Sequence, residues 1–179
     1  MDLDTIYDWA KTIMLAAVAA LMIRLFFITP VIVEGQSMMP TLEDDSRMII
    51  NKVGYMLDEP DRFDVVVFNA EEGKDYIKRI IGLPGEQIAY ENNRLYINGM
   101  EMEEPFLQTA VDEIETADFE LPLLSADQVV PEDHVFVMGD NRSNSRDSRQ
   151  IGFVPVSEIV GEANVVFWPP EHIQMINKQ

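Results

Sequence analysis

One serine and one lysine are the side chains of this chain best suited to nucleophilic chemistry. Ser37 lies in "VEGQSMMPTL" (33–42), with Gly35 before it and Pro40 after it. Glycine and proline are typical of turns, so the simplest interpretation of Ser37 is an ordinary turn residue. The alternative is a nucleophile, which needs a base beside its hydroxyl.

Lys78 is the candidate base. In "DYIKRII" (75–81), strand alternation puts Tyr76, Lys78 and Ile80 on one face. Apolar surroundings lower the pKa of a lysine and make a neutral amine available, whereas a lysine that extends to solvent stays protonated. The chain has no Cys, and its two His lie at the start of a predicted strand and in a Pro-rich tail. A Ser–Lys pair is therefore the remaining route to an activated nucleophile.

A third polar segment, "MGDNRSNSRDSR" (138–149), combines hydroxyls with alternating acidic and basic residues. A solvated loop is the simplest interpretation. Asp–Arg pairing within the segment would instead fix its shape and let it support a reactive site. No metal-ligand spacing, phosphate-binding loop or pair of carboxylates stands out, so we expect no metal and no cofactor.

The N-terminal part of the chain predicts one membrane-spanning helix. Residues 13–33 carry a single charge, Arg24, and a span needs about 20 mostly apolar residues. We expect a helix from about Ile6 to Ile28, stopped at Pro30. A cleavable signal peptide is disfavoured by the acidic start and the length of the run. A buried core helix is the other alternative.

The remainder predicts an all-β, barrel-like core. The expected strands are short and rich in β-branched residues: 47–53, 64–68, 75–81, 86–90, 94–99, 134–139 and 163–168. Turn residues separate them, with a type II turn at 82–85 and hairpins at Asn92-Asn93 and Asn98-Gly99. A short helix is expected from Pro155 to Val160, closed by Gly161. Residues 101–131 are acidic and predict a small inserted lobe or a long loop.

The charge balance excludes one class of partner. The chain has 13 Lys and Arg against 32 Asp and Glu, a net charge of −19. Nucleic-acid binding needs a basic surface to neutralise phosphates, so we expect no nucleic acid. Adhesion to anionic lipid by charge alone is disfavoured for the same reason.

Taken in order, these segments resemble a type I signal peptidase. The resemblance rests on an apolar anchor, "SMMPTL" (37–42), "RFDVVVF" (62–68), "YIKRIIGLPGE" (76–86) and "GDNRSNSRDSR" (139–149). It covers nearly the whole chain apart from 101–131, and the small size and single anchor resemble the Gram-positive branch. It implies an all-β catalytic core with a smaller inserted β lobe, preceded by one transmembrane helix.

The resemblance also implies roles for individual residues. Ser37 matches the nucleophile and Lys78 the general base, and Ser145 matches a hydroxyl that orients the lysine. Asp147 and Arg149 match residues that hold the catalytic region together, and Asp140 and Arg142 are supporting residues of the same motif. The candidate substrate-binding residues are Val33, Gly35, Met38, Tyr76 and Ile77.

Three positions depart from the family pattern. Some members have a serine at position 35 that helps stabilise the oxyanion, and Gly35 lacks that hydroxyl, which leaves the main-chain N–H of Ser37 as donor. Phe63 stands where the family usually has glycine, which puts the local backbone geometry in question. Glu86 replaces an aspartate after "GLPG".

The resemblance implies a membrane peptidase with a cytoplasmic N-terminus. Residues 1–30 would form the anchor and residues 31–179 an extracytoplasmic catalytic domain. Its partners would be membrane lipid and preproteins whose signal peptides carry small residues before the cleavage site.

Two alternatives to a signal peptidase are open to this sequence. A self-cleaving repressor-type protease uses the same dyad, but the apolar run and the net charge of −19 disfavour it. A membrane-anchored β module that binds peptides, with Ser37 inert, is the non-enzymatic alternative.

Overall fold

A computed structural model describes residues 2–26, 28–52, 59–70, 73–107, 116–120 and 128–176. The chain opens with helix α1, Leu3–Phe26. Its segment Thr5–Met22 is long and apolar enough to cross a membrane, and none of its residues is buried within the protein. An apolar, unburied helical segment of this length is typical of a membrane span.

The first strand corrects the predicted end of the helix. Helix α1 ends at Phe26, and β1 runs from Ile28 to Ile32 with Pro30 inside it. Strand β1 pairs with β2 (Arg47–Asn51) and lies at the edge of the sheet, where a missing N–H is tolerated. The helix thus ends four residues before Pro30, because the residues from Ile28 onward pair with β2.

Eight strands form the main sheet, in the order β1-β2-β11-β3-β4-β9-β10, with β12 paired to β11. The strands not yet given are β3 (Val65–Asn69), β4 (Asp75–Gly82), β9 (His134–Met138), β10 (Val154–Pro155), β11 (Ile159–Trp168) and β12 (Gln174–Met175). This confirms the all-β prediction. Among the described strands both sheets are open, so no closed barrel forms.

The second sheet has four strands, in the order β7-β6-β5-β8. These strands are β5 (Ile88–Glu91), β6 (Arg94–Ile97), β7 (Met100–Met102) and β8 (Phe119–Glu120). The sheet therefore begins before residue 101, the predicted start of the lobe. Parts of 101–131 lie outside the described residues, and the lobe stays a prediction there.

Turn chemistry accounts for the tight connections. Asn92, Asn93, Asn98 and Gly99 all have positive φ, and each pair forms the two-residue loop of a hairpin. Leu83–Glu86 forms a turn closed by a hydrogen bond from Glu86 N–H to Leu83 O, with Gly85 at φ 78°. That geometry is typical of a type II turn with Pro84 and Gly85 at its centre, and the turn lies one residue later than the predicted 82–85.

The predicted helix at Pro155–Val160 is wrong. The structure has a single 3₁₀ turn, Val156–Glu158, and Gly161 lies inside β11. A Cβ on Gly161 would lie 2.4 Å from Asn51 O, so this glycine allows the close approach of β2. The helix that forms instead is α2, Ser148–Ile151, which ends before Gly152 at φ 82°.

Candidate active site

Buried side chains on both sides of Ser37 hold its turn in place. Val33, Met38 and Leu42 are almost fully buried and pack in one cluster with side chains of β2 and β11. Ser37 lies between Val33 and Met38 and remains half-buried. Burial of neighbours therefore fixes the segment while its hydroxyl keeps access to a cleft.

Lys78 meets Ser37 across the cleft. Lys78 lies in β4, and its Nζ lies 2.8 Å from Ser37 Oγ. The same Nζ donates to Ile77 O at 2.8 Å and lies 5.3 Å from the centre of the Tyr76 ring. When the amine is neutral, its bond to Ile77 O leaves a lone pair free to accept the Ser37 hydroxyl proton.

Burial lowers the pKa of Lys78 from its ordinary value of 10.5 to about 8. Loss of water around the ammonium is the largest cause, and the negative charges of Asp147 and Asp140 oppose it. The lysine is only 4% exposed. At neutral pH a useful fraction of Lys78 is therefore neutral and able to act as a base.

Asp140 is bound by an arginine that the sequence analysis did not single out. Arg79 donates to Asp140 from Nε at 2.9 Å and from Nη2 at 2.7 Å, with both side chains fully buried. Arg79 Nη1 also donates to Phe63 O at 2.8 Å, and the guanidinium lies 4.0 Å from the Phe106 ring centre. The available signal was its place next to Lys78, on the opposite face of β4.

Asp147 organises the end of the polar loop. Its carboxylate accepts from Gly139 N–H at 3.0 Å and from Arg149 Nε and Nη2 at 2.8 and 2.7 Å. It also caps α2, accepting from Arg149 N–H. The predicted Asp–Arg pairing within the loop is therefore present in the structure.

Ser145 lies near the dyad without bonding to the lysine. Its Oγ is buried and has no hydrogen-bond partner among the described residues. A Cβ on Gly139 would lie 2.3 Å from this Oγ and 2.4 Å from Ser37 O. The structure thus brings Ser145, Gly139 and Ser37 together, and the orienting role of Ser145 stays a prediction.

Asn141 binds the backbone of the segment that carries Ser37. The sequence does not distinguish it from the other polar residues of its loop. Its Nδ2 donates to Gln36 O at 3.0 Å, and its backbone N–H donates to Ser37 O at 3.0 Å. In the part of the chain that the structure describes, Ser37 N–H donates to no protein acceptor. That N–H is available to a reacting oxygen.

Arg142 points away from the dyad, into the second sheet. It donates to Gly139 O at 3.0 Å, to Tyr90 Oη at 2.6 Å and to Glu104 Oε1 at 2.5 Å. Burial raises the pKa of Tyr90 well above its ordinary value, so its hydroxyl keeps its proton. Glu104 and Tyr90 were not predicted as site residues, because they lie far from the loop in sequence.

A cleft of about 560 Å³ opens in front of the dyad. It is lined by two segments and one loop residue: Val31, Ile32, Val33, Glu34, Ser37 and Met38, then Lys74, Asp75, Tyr76, Ile77 and Lys78, with Arg146. The lining includes the predicted substrate-binding residues Val33, Met38, Tyr76 and Ile77. Gly35 is not part of it, and its N–H donates to Asp44 Oδ1 at 2.8 Å.

The departures from the family pattern have structural counterparts. Phe63 adopts φ 70°, a conformation that favours glycine. Its N–H donates to Ile80 O at 2.8 Å, and its ring contacts Phe106. Glu86 accepts from Leu83 N–H at 2.7 Å and pairs with Arg62, so it holds the turn after β4.

No metal site is visible in the described ranges, where no group of three His, Cys, Asp or Glu side chains is placed to bind an ion. The chemistry that this arrangement offers is that of a hydroxyl next to a desolvated amine. A hydroxyl–amine pair of this kind is the arrangement found in the Ser–Lys variants of serine hydrolases.

Comparison with known proteins gives the family. Residues 6–168 match the family described as signal peptidase, peptidase S26. A signal peptidase I of Bacillus caldolyticus is 44% identical over 90% of each chain. Signal peptidase I T of Bacillus subtilis is 42% identical over 93% of this chain and 87% of its own. The chain belongs to the signal peptidase family, peptidase S26, and is a peptide hydrolase.

A solved structure of a family member supports the fold assignment. A crystal structure of a signal peptidase I from Enterococcus faecalis shares 42% identity with a TM-score of 0.54. The match covers 59% of this chain and 97% of that one. The fold is therefore shared over the aligned part.

Proposed function

We propose that this protein is a single-pass membrane serine endopeptidase that removes signal peptides from preproteins through Ser37 and Lys78. One observation carries the proposal: Lys78 Nζ lies 2.8 Å from Ser37 Oγ in a buried setting that lowers the lysine pKa to about 8. Membership of the signal peptidase family supplies the substrate class.

Acylation begins with neutral Lys78, which accepts the proton of Ser37 Oγ as that oxygen attacks the scissile carbonyl carbon. The carbonyl oxygen becomes an oxyanion, and Ser37 N–H donates to it. A donor of this kind contributes roughly 2.7–4 kcal/mol to the transition state. The lysine ammonium then gives its proton to the leaving amine, which frees the mature protein.

Deacylation uses the same base. The signal peptide is now an ester on Ser37 Oγ, and Lys78 has returned to the neutral state. It accepts a proton from a water molecule that attacks the ester carbonyl. The proton goes back to Ser37 Oγ as the acyl bond breaks, and the signal peptide leaves with a free carboxylate.

Unpaired backbone on β4 favours binding of an extended substrate. Residues Asp75–Lys78 pair with β3 on one edge, whereas pairing with β9 begins only at Arg79. The other edge of the first half of β4 is thus open among the described strands, beside the 33–37 segment. An extended peptide adds to such an edge by main-chain hydrogen bonds.

The cleft walls favour small side chains in that peptide. Val33 and Met38 line the cleft and are nearly fully buried, and the half-buried side chains of Tyr76 and Ile77 line it as well. We therefore propose small apolar residues before the cleavage site. Gly35, next to the cleft, leaves open space where a side chain would otherwise project, so a substrate strand can approach.

Anchoring through α1 would place the dyad near the bilayer. Residues 27–36 are all that separate the end of α1 from Ser37. We propose that α1 spans the cell membrane with the N-terminus in the cytoplasm and the catalytic domain outside. Membrane lipid would then surround α1, and the dyad would meet signal peptides where they leave the bilayer.

Cleavage of a preprotein by the detergent-solubilised full chain tests the proposal. Ser37→Ala and Lys78→Ala should each lower kcat/KM by about a thousandfold or more, since a nucleophile and its base act as a unit. Lys52→Ala is the matched control, because Lys52 follows β2 and is not among the residues that line the cleft.

Circular dichroism should show that the variants fold. A serine-directed acylating inhibitor should label the wild type and Lys52→Ala but not Ser37→Ala. Substantial cleavage by either dyad variant would rule out the mechanism.

A further inference from the structure

The second sheet is tied to the nucleophile through Arg142. The side chain of Arg142 is fully buried and lies among groups of the second sheet and its flanking segments. Glu104 accepts from Nη2 at 2.5 Å and from Nη1 at 3.3 Å, while Tyr90 Oη accepts from Nη1 at 2.6 Å. Thr116 Oγ1 adds a longer contact to Nη1 at 3.4 Å.

Tyr90 and Glu104 also bind each other. Tyr90 Oη donates to Glu104 Oε1 at 2.7 Å, so the carboxylate, the phenol and the guanidinium form a closed set of hydrogen bonds. The Tyr90 ring lies 5.4 Å from the guanidinium, and the Phe106 ring lies 5.9 Å from it. The buried Arg142 guanidinium is therefore held in one geometry by several hydrogen bonds and two ring contacts.

The other end of this connection is the nucleophile. Arg142 Nε donates to Gly139 O at 3.0 Å, which fixes the loop at its start. Between these two residues, Asn141 donates to Ser37 O and to Gln36 O, each at 3.0 Å. Residues 139–142 thus bind the second sheet at one end and the backbone of Ser37 at the other.

We infer that Glu104, assisted by Tyr90, is a positioning residue that sets the placement of Ser37 by holding Arg142. The inference rests on the proposed function of Ser37. Glu104 touches no reacting atom, and acts through the 139–142 loop on the direction of Ser37 N–H and on the distance between Ser37 Oγ and Lys78 Nζ. The second sheet then contributes to catalysis as well as to folding.

The test compares Glu104→Gln with Glu101→Gln. Glu101 pairs with Arg94 on the same sheet, but that pair is largely exposed, and its two hydrogen bonds join Glu101 to Arg94 Nη1 and not to the 139–142 loop. In the full chain, Glu104→Gln should lower kcat about tenfold and leave KM within about twofold, because misplaced reacting groups slow the chemical step. Glu101→Gln should leave both constants unchanged.

Active-site titration separates positioning from stability. Stoichiometric acylation by a serine-directed inhibitor counts the molecules with a competent Ser37, and kcat is expressed per titrated site. A purely structural role would lower the number of titrated sites and leave kcat per site unchanged. That result would overturn the inference.

Two further variants keep the test decisive. Tyr90→Phe removes one hydroxyl and keeps the ring, so it tests the positioning role if Glu104→Gln does not fold. We expect about a threefold loss of kcat per site.

The double variant tests whether Glu104 acts through Arg142. Glu104→Gln combined with Arg142→Lys should be no slower than Arg142→Lys alone, since both act through one connection. Additive losses would contradict a shared route.

Ser37→Ala, measured alongside, distinguishes the two proposals. If Ser37→Ala still cleaves the preprotein, the proposed function fails and the inference fails with it. If Ser37→Ala is inactive while Glu104→Gln and Tyr90→Phe keep full kcat per site, only the inference fails.

Discussion

At the scale of single residues, the central fact is that Lys78 is a lysine with little water around it. Among the described residues its Nζ has two hydrogen-bond partners, the Ser37 hydroxyl and the Ile77 carbonyl. Neither neutralises a positive charge as a carboxylate would, and Asp140 and Asp147 act on it only from a distance. Desolvation therefore outweighs attraction, and the neutral base is favoured relative to an exposed lysine.

The pH profile of cleavage should report this lysine. Below its pKa of about 8 the base is protonated, so kcat/KM should fall about tenfold for each pH unit on the acidic side. Measurements between pH 5 and 9 on the full chain check it. Activity that stays flat down to pH 5 would contradict a neutral lysine base.

Stability gives a second readout of the same pKa. In the unfolded chain Lys78 keeps its proton up to its ordinary pKa of 10.5, whereas the folded protein releases it near 8. Between these values the unfolded state binds more protons, so the free energy of unfolding rises with pH by up to roughly 3 kcal/mol. Lys78→Met lacks that rise, and the difference between the two unfolding curves measures it.

At the scale of elements, two adjacent residues of β4 serve different parts of the site. Lys78 faces the cleft, while Arg79 binds the buried Asp140 on the opposite face. Arg79 also donates to Phe63 O, and Phe63 N–H donates to Ile80 O, so the turn before β3 is bonded to β4. The turn must therefore keep its shape whatever residue occupies position 63.

Position 63 should prefer glycine to alanine. Phe63 has φ 70°, where a side chain costs roughly 1–2 kcal/mol, and the contact of its ring with Phe106 offsets part of that cost. Phe63→Gly and Phe63→Ala both lose the ring, so comparing them isolates the backbone. In urea unfolding, we expect the free energy of unfolding of Phe63→Gly to exceed that of Phe63→Ala by about 1 kcal/mol.

Ala89 supplies the control for that comparison. It lies in β5 with ordinary strand geometry, so Ala89→Gly should lower the free energy of unfolding by roughly 0.5–1 kcal/mol. The sign is opposite to that expected at position 63. Phe63→Ala more stable than Phe63→Gly would show that the turn relaxes to a negative φ.

At the scale of the whole molecule, the protein joins an exposed apolar helix to a strongly acidic β domain. The chain's net charge of −19 disfavours attraction to anionic lipid by charge, so under the proposed topology α1 supplies the attachment. The short connection between α1 and β1 would then limit how far the dyad can move from the bilayer.

Protease protection tests the proposed orientation. In intact protoplasts, added protease should digest the catalytic domain and spare an epitope tag at the N-terminus. After lysis both should be digested, which controls for protease access. A catalytic domain that is protected until lysis would reverse the proposed topology.

The sequence by itself determined the local elements and the order of the motifs. Asn92-Asn93 and Asn98-Gly99 predicted two hairpin loops, because positive φ is a property of single residues and their side chains. The apolar run predicted a helix of membrane length, because hydropathy depends on composition alone. The resemblance supplied the pairing of Ser37 with Lys78, and the structure brings their side chains together.

Only the tertiary structure decided which distant groups meet. Helix α1 ends at Phe26 because the residues that follow it pair with β2. Gly161 lies inside β11 and does not end a helix, because β2 approaches it too closely for a side chain. Arg79 and Asp140 are 61 residues apart, and Arg142 and Glu104 are 38 residues apart. No local periodicity encodes such pairs, because they form only when the two sheets pack around one loop and exclude water from it.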